Sequence, residues 1–198
     1  MSAPPPAAAQ LAAVIADGAI AVIPTDTVYG VCCDAENAAA AKRLADLKGR
    51  SSGKPAAVAF FALEPALAAL PELGRRTRSA LRALLPGPLT VLVPNPARRF
   101  PCAGGELLGV RVIDGPLDPG RAILLTSANL AGGRDARTPD EIPAEIRAGA
   151  ALVIDGGTLP GTPSTIVDLG EFESGGGWRI VRDGAVTSAA VAHALVGS

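Results

Sequence analysis

Histidine is almost missing from this chain: His193, in a C-terminal amphipathic stretch, is the only one among 198 residues. No Ser–His–Asp or Cys–His catalytic set can therefore be assembled around it. The three cysteines, Cys32, Cys33 and Cys102, form no CxxC pair, which argues against a Cys/His zinc centre. They read as small buried core residues, and their odd number suits a reducing compartment. No pair of carboxylates stands out for acid–base work. Charge of one sign is lacking too. A formal net charge of −1 and a pI near 5.8 argue against an extended nucleic-acid surface. No apolar run approaches the roughly 20 residues of a membrane span. The stretch Met1 to Gln10 carries a proline triplet without the basic flank of a signal peptide. A cytoplasmic protein without membrane contact is expected.

What is present is a globular composition, 48% hydrophobic and 19% charged. The length suits a single domain over residues 1–198, with residues 1–6 expected to be disordered. Ala7 to Ala16 predicts a helix stopped by Asp17-Gly18, and Ala19 to Ile23 a strand buried on both faces. Asp34 or Asn37 can cap a helix running to Leu47. Ala56 to Phe61 predicts a strand, and Glu64 to Leu70 and Arg75 to Leu85 predict helices. Further strands are expected at Leu89–Val93, Leu107–Ile113, Ala122–Thr126, Leu152–Ile154, Ser164–Leu169 and Trp178–Arg182. A helix from Pro139 to Arg147 capped by Thr138, and a last one capped by Thr187, complete the pattern. Strands alternating with helices indicate an α/β fold with a mixed sheet.

The strongest local signal is the loop Leu47-Lys48-Gly49-Arg50-Ser51-Ser52-Gly53-Lys54-Pro55. Lys48, Arg50 and Lys54 fall within seven residues of an otherwise nearly neutral chain, a plausible polyphosphate clamp or a solvated basic turn. A P-loop it is not, because only three residues separate its glycines and Pro55 follows the lysine. Four other places put polar groups at the edge of an apolar run: Thr25/Thr27, Ser127/Asn129, Ser164/Thr165 and Arg111. Each hydroxyl pair alone is equally a cap or a turn. Arg111 within an apolar strand requires an anion, from the protein or from a ligand. Together they suit an anionic or zwitterionic small molecule beside a polyphosphate, with catalysis by positioning and charge neutralisation.

Six motifs occur in order: Pro24-Thr25-Asp26-Thr27-Val28-Tyr29-Gly30; Lys48-x-Arg50 with Lys54-Pro55; Pro86-Gly87-Pro88-Leu89-Thr90; Thr126-Ser127-Ala128-Asn129; Pro163-Ser164-Thr165-Ile166-Val167-Asp168; and Ile180-Val181-Arg182-Asp183-Gly184. The ordered set, spanning about residues 8–195, resembles the YrdC-like family of threonylcarbamoyl-adenylate synthases in its short form. That resemblance implies a twisted mixed β-sheet with flanking helices around a deep, positively lined cavity. It implies condensation of L-threonine, bicarbonate or CO2, and ATP into threonylcarbamoyl-adenylate and pyrophosphate, with Mg2+ carried by ATP. The product would pass to a tRNA threonylcarbamoyl-transferase complex, with direct tRNA contact a possibility. By matched position Thr27, Arg111, Ser127 and Ser164 would hold L-threonine. Arg50, Lys54, Asn129, Thr138 and Arg182 would contact ATP, with Lys48 near the phosphates. Lys48, Arg50, Ser127 and Asn129 would be the catalytic set, and Thr25 and Tyr29 would shape the pocket floor.

The segment after Arg111, Ile113-Asp114-Gly115-Pro116, departs from the family pattern and is several residues shorter, so that one cavity wall is expected to be open or rebuilt. Ala59 stands where some relatives have a histidine. Two rival readings are an RNA-binding module using the same basic cavity, and a paralogue that is non-catalytic or serves another carbamoyl transfer.

Overall fold

The computed structural model describes residues 6–49, 56–100 and 102–196. A nine-stranded mixed sheet runs through them. Its strands are β1 (Ala21–Ile23), β2 (Gly30–Asp34), β3 (Ala57–Phe60), β4 (Leu89–Pro94), β5 (Leu107–Val112), β6 (Ile123–Ser127), β7 (Leu152–Val153), β8 (Thr165–Asp168) and β9 (Arg179–Arg182). Their order is β7-β1-β2-β6-β3-β5-β4-β8-β9. β1/β7, β3/β5 and β4/β8 pair in parallel, the remaining neighbours antiparallel. The α/β class and mixed sheet expected from the sequence are present.

Side chains alternate across the sheet, as the pleat requires. Val22, Val31, Cys33, Val58, Phe60, Val110 and Leu124 point into one core; Ala21, Ile23, Cys32, Ala59, Ile123 and Leu125 point into another. The first core is roofed by α2 (Ala38–Leu47), α3 (Leu63–Ala69), α4 (Arg75–Leu84), α5 (Ala144–Gly149) and α6 (Ser188–Ala194). Against the second core lies one helix, α1 (Pro6–Ala16), through Leu11 and Ile15. Five helices on one face and one on the other leave part of the second face to be filled differently.

The helices start where local chemistry allows. Asn37 caps α2 by accepting from the Ala40 N–H at 3.0 Å, and Thr187 caps α6 through the Ala190 N–H. α4 follows Gly74, which has no capping side chain, so Glu173 from a distant turn serves instead. Its Oε2 accepts from the Thr77 N–H at 2.7 Å and the Thr77 hydroxyl at 2.9 Å. These bonds, the backbone one foremost, hold the Glu173 carboxyl below its ordinary value. Burial pushes up the thiols of Cys32 and Cys33, the latter to about 12, while Cys102 is only half-buried.

One strand, Gly30–Asp34, has no counterpart among the expected elements and lies inside the sheet between β1 and β6. The expected helix from Pro139 to Arg147 is split. A 3-10 turn spans Pro139–Glu141 and α5 begins only after Pro143, which has no N–H to continue the ladder. Thr138 makes no side-chain cap; the Glu141 carboxylate accepts the Arg137 N–H at 2.7 Å instead.

Because Glu173 titrates below its ordinary value of 4.5 in the fold, its stabilisation is complete above that pH and fades as pH falls through the lowered folded value. Glu173→Gln should therefore flatten the acid limb of stability against pH, measured by urea unfolding between about pH 5 and 3. A Cβ at Gly184 would collide with the backbone of Pro163, Ser164 and Thr165. Gly184→Ala should lower unfolding free energy by about 2 kcal/mol, read in the same titrations.

Candidate active site

The uncovered part of the second face holds a hollow of about 640 Å³, its open mouth included. Small side chains at Gly30 and Ala57 leave the space, and Thr25, Thr27, Thr90, Ser127 and Ser164 put hydroxyls around it. Arg111, Arg182 and Asp135 are its charged lining residues among those described. Antiparallel pairing of β2 with β6 sets Gly30 opposite Ser127, so the Thr25–Gly30 turn and the Ser127–Asn129 turn meet at one end of the sheet.

Arg111 reaches the hollow because it lies between Val110 and Val112, which face the other core. It is 7% exposed. Its Nη2 donates to Asp26 Oδ1 at 2.5 Å and to Thr27 Oγ1 at 3.4 Å. Its Nε is buried and has no hydrogen-bond partner among the described residues. Burial lowers the Arg111 pKa, with Asp26 opposing that shift and the nearby Arg182 adding to it. Burial likewise pushes the Asp26 carboxyl up, against the pull of Arg111. The protein anion for Arg111 is thus Asp26, whose role the sequence did not indicate.

Thr25 is committed to its own turn. Its hydroxyl donates to Val28 O at 2.7 Å and accepts from the N–H groups of Thr27 and Val28. With that proton used, Thr27 is the donor in the 3.0 Å contact between the two hydroxyls. Across the hollow, Ser164 Oγ lies 2.9 Å from Thr90 Oγ1, and Arg182 donates to both Ser164 O at 2.7 Å and Ser164 Oγ at 3.1 Å. Thr90 lies within a motif quoted above yet was assigned no role; its signal was a hydroxyl following the Pro-Gly-Pro turn.

The four residues matched to L-threonine, Thr27, Arg111, Ser127 and Ser164, all line this hollow, as does Arg182. Arg50 and Lys54 lie outside the described residues. Tyr29 is not among the lining residues: fully buried, it donates to Gly157 O at 2.8 Å and accepts from the Gly156 N–H at 2.9 Å, bracing the loop after β7. Thr138 also stands outside the lining, at the start of the 3-10 turn.

Lys48 differs most from expectation. It caps the end of α2 and is 1% exposed, not displayed on an open loop. Its ammonium donates to Ser127 O and, at 2.9 Å, to Asn129 Oδ1, and its carbonyl accepts the Ala131 N–H. Asn129 Oδ1 also receives the Ser127 hydroxyl at 2.9 Å, while Nδ2 donates to Gly133 O and Asp135 Oδ1. Lys48 therefore splices α2 to the end of β6.

The segment after Arg111 borders a separate, mainly apolar hollow, which Ile113, Asp114, Gly115, Pro116 and Leu117 line together with Asp26 and Phe61.

The family model for Sua5/YciO/YrdC, described as "Telomere recombination", matches residues 13–184. The chain belongs to the Sua5/YciO/YrdC family. It is 38% identical over 169 residues to the threonylcarbamoyl-AMP synthase of Thiobacillus denitrificans, covering 77% of this chain and 85% of that one. Against the threonylcarbamoyl-AMP synthase of Bacillus subtilis identity is 30% over 179 residues, covering 84% of this chain. That relative is longer, and the match spans 51% of it. P. abyssi Sua5, solved in complex with L-threonine, shares the fold at a TM-score of 0.83 and 24% identity, over 96% of this chain and 57% of that one.

Removing the Lys48 ammonium would strand two part-buried acceptors of the Ser127–Asn129 turn, Ser127 O and Asn129 Oδ1. Lys48→Ala should cost about 2–3 kcal/mol of stability, measured by chemical denaturation, rather than leaving the fold unaffected as an exposed loop residue would.

Proposed function

We propose that this chain is an L-threonylcarbamoyladenylate synthase, condensing L-threonine, bicarbonate or CO2, and ATP to threonylcarbamoyl-AMP and pyrophosphate. The observation that carries the reading is the gathering of two guanidiniums, Arg111 and Arg182, with the hydroxyls of Thr27, Ser127 and Ser164 around one hollow. A substrate carboxylate would meet such a guanidinium with the planar fit that arginine favours. Relatives named threonylcarbamoyl-AMP synthase support the same assignment.

In this reading Arg111 takes the threonine carboxylate, and the hydroxyls of Thr27, Ser127 and Ser164 orient the rest of the amino acid. The neutral amine attacks CO2 and loses a proton to solvent; bicarbonate enters by first releasing hydroxide. A carbamate oxygen then attacks the α-phosphorus, and the bond to the β-phosphate's bridging oxygen breaks to release pyrophosphate. Arg182 faces the same hollow, where its charge would offset that of the phosphates. Arg50 and Lys54 would add the remaining cations. Lys48 and Asn129 act by holding the β6 turn. Magnesium enters with ATP as part of the substrate, and the product goes on to tRNA modification through a transferase complex in the cytoplasm.

A wider RNA-binding surface, beyond the basic cavity of the rival reading, finds little support in α4. Arg82 pairs with Glu64, Arg78 donates to Leu67 O and Leu70 O, and Arg76 stacks 4.4 Å over the Phe172 ring. Those guanidiniums are spent within the fold rather than offered as a basic stripe.

Purified protein should release pyrophosphate from ATP only when L-threonine and bicarbonate are both present, followed by a coupled pyrophosphate assay. Release that ignores either one overturns the assignment. Arg111→Gln should lower kcat/KM for L-threonine roughly 100-fold, the equivalent of about 3 kcal/mol in charge-assisted hydrogen bonds.

A further inference from the structure

We infer that Asp135 is the protein's contact for the divalent cation carried by ATP, an inference that rests on the ATP-dependent reading above. Asp135 is the one carboxylate residue among the described residues lining the hollow. No described residue forms a salt bridge with it. A bare carboxylate in the wall of a pocket for a triphosphate repels the ligand unless a cation stands between them. Mg2+ meets that need, since it commonly binds one or two carboxylates together with substrate phosphates and keeps several waters.

The local structure fixes Asp135 for such a contact. Asn129 holds one carboxylate oxygen, Oδ1, by a 3.0 Å hydrogen bond. Asn129 is itself held by Lys48 Nζ, the Ser127 hydroxyl and Gly133 O. The same amide therefore aims the carboxylate and ties it to the end of α2 and the end of β6. Oδ2 is the oxygen left to face a cation. Ser127 lines the hollow beside it, adding a hydroxyl of the kind that hydrates or bonds magnesium.

The test is titration calorimetry of the whole chain with ATP, in excess EDTA and then in excess Mg2+, for wild type and the isosteric Asp135→Asn. Wild type should bind MgATP more tightly than metal-free ATP. Asp135→Asn should bind MgATP about tenfold more weakly and metal-free ATP as well as or better than wild type, because a negative charge has left the pocket. Asp135→Ala should change the two affinities in the same opposite directions, which a general loss of structure would not do. Equal weakening of both forms, as expected for a carboxylate holding ribose hydroxyls, overturns the inference. So does indifference to the substitution in both forms. With wild type binding ATP, either result overturns this inference alone; a wild type that binds ATP in neither condition overturns it together with the ATP reading.

Discussion

Everything at the candidate site depends on how a buried ammonium is kept from being an uncompensated charge. Lys48 is all but sealed from water, so its protons must find acceptors, and among the described residues Ser127 O and Asn129 Oδ1 serve. That requirement brings the end of α2 onto the end of β6, though 79 residues separate Lys48 from Ser127. The Ala131 N–H to Lys48 O bond closes the same junction from the backbone side. A lysine and a Ser-x-Asn turn so far apart in the chain thus form one polar assembly, and Asp135 is its outermost member.

A second constraint follows from unequal cover of the two sheet faces. Five helices pack on one side, where Val, Leu and Phe alternate inward along β2, β3, β5 and β6. On the other side α1 covers the end near β1 and leaves the rest to small residues and hydroxyls. Period-two alternation then decides which side chains enter the hollow: Arg111 between two core valines, Thr90 between Leu89 and Val91. Arg111 is costly to bury and only partly compensated. Asp26 and Thr27 hold one edge, while its Nε has no acceptor among the described residues.

The two halves of the hollow are organised differently. On one side, Thr25 spends its hydroxyl on its own turn and thereby directs Thr27. On the other, Ser164 is held between Thr90 and Arg182, in a stretch whose close approach to Gly184 leaves no space for a Cβ. A glycine in the Arg182-Asp183-Gly184 motif is therefore a packing requirement of the β8 entry, and through it of the Ser164 hydroxyl.

Local chemistry was enough to determine most elements, and the family resemblance pointed to part of the hollow's lining. Asn37 and Thr187 announced their helices because capping acts within a turn, and apolar runs bounded by Gly and Pro announced most strands. The ordered motifs picked out Thr27, Arg111, Ser127, Ser164 and Arg182, which the fold gathers around one hollow. Partnership was beyond the sequence's reach. That Arg111 would meet Asp26, that Ser164 would meet Thr90, and that Lys48 would turn inward to Asn129 all depend on strand order and register. Gly30–Asp34 takes its place as a strand through pairing with β1 and β6. Spacing along a chain constrains which groups share a face; which groups touch across it is decided only when distant strands pair.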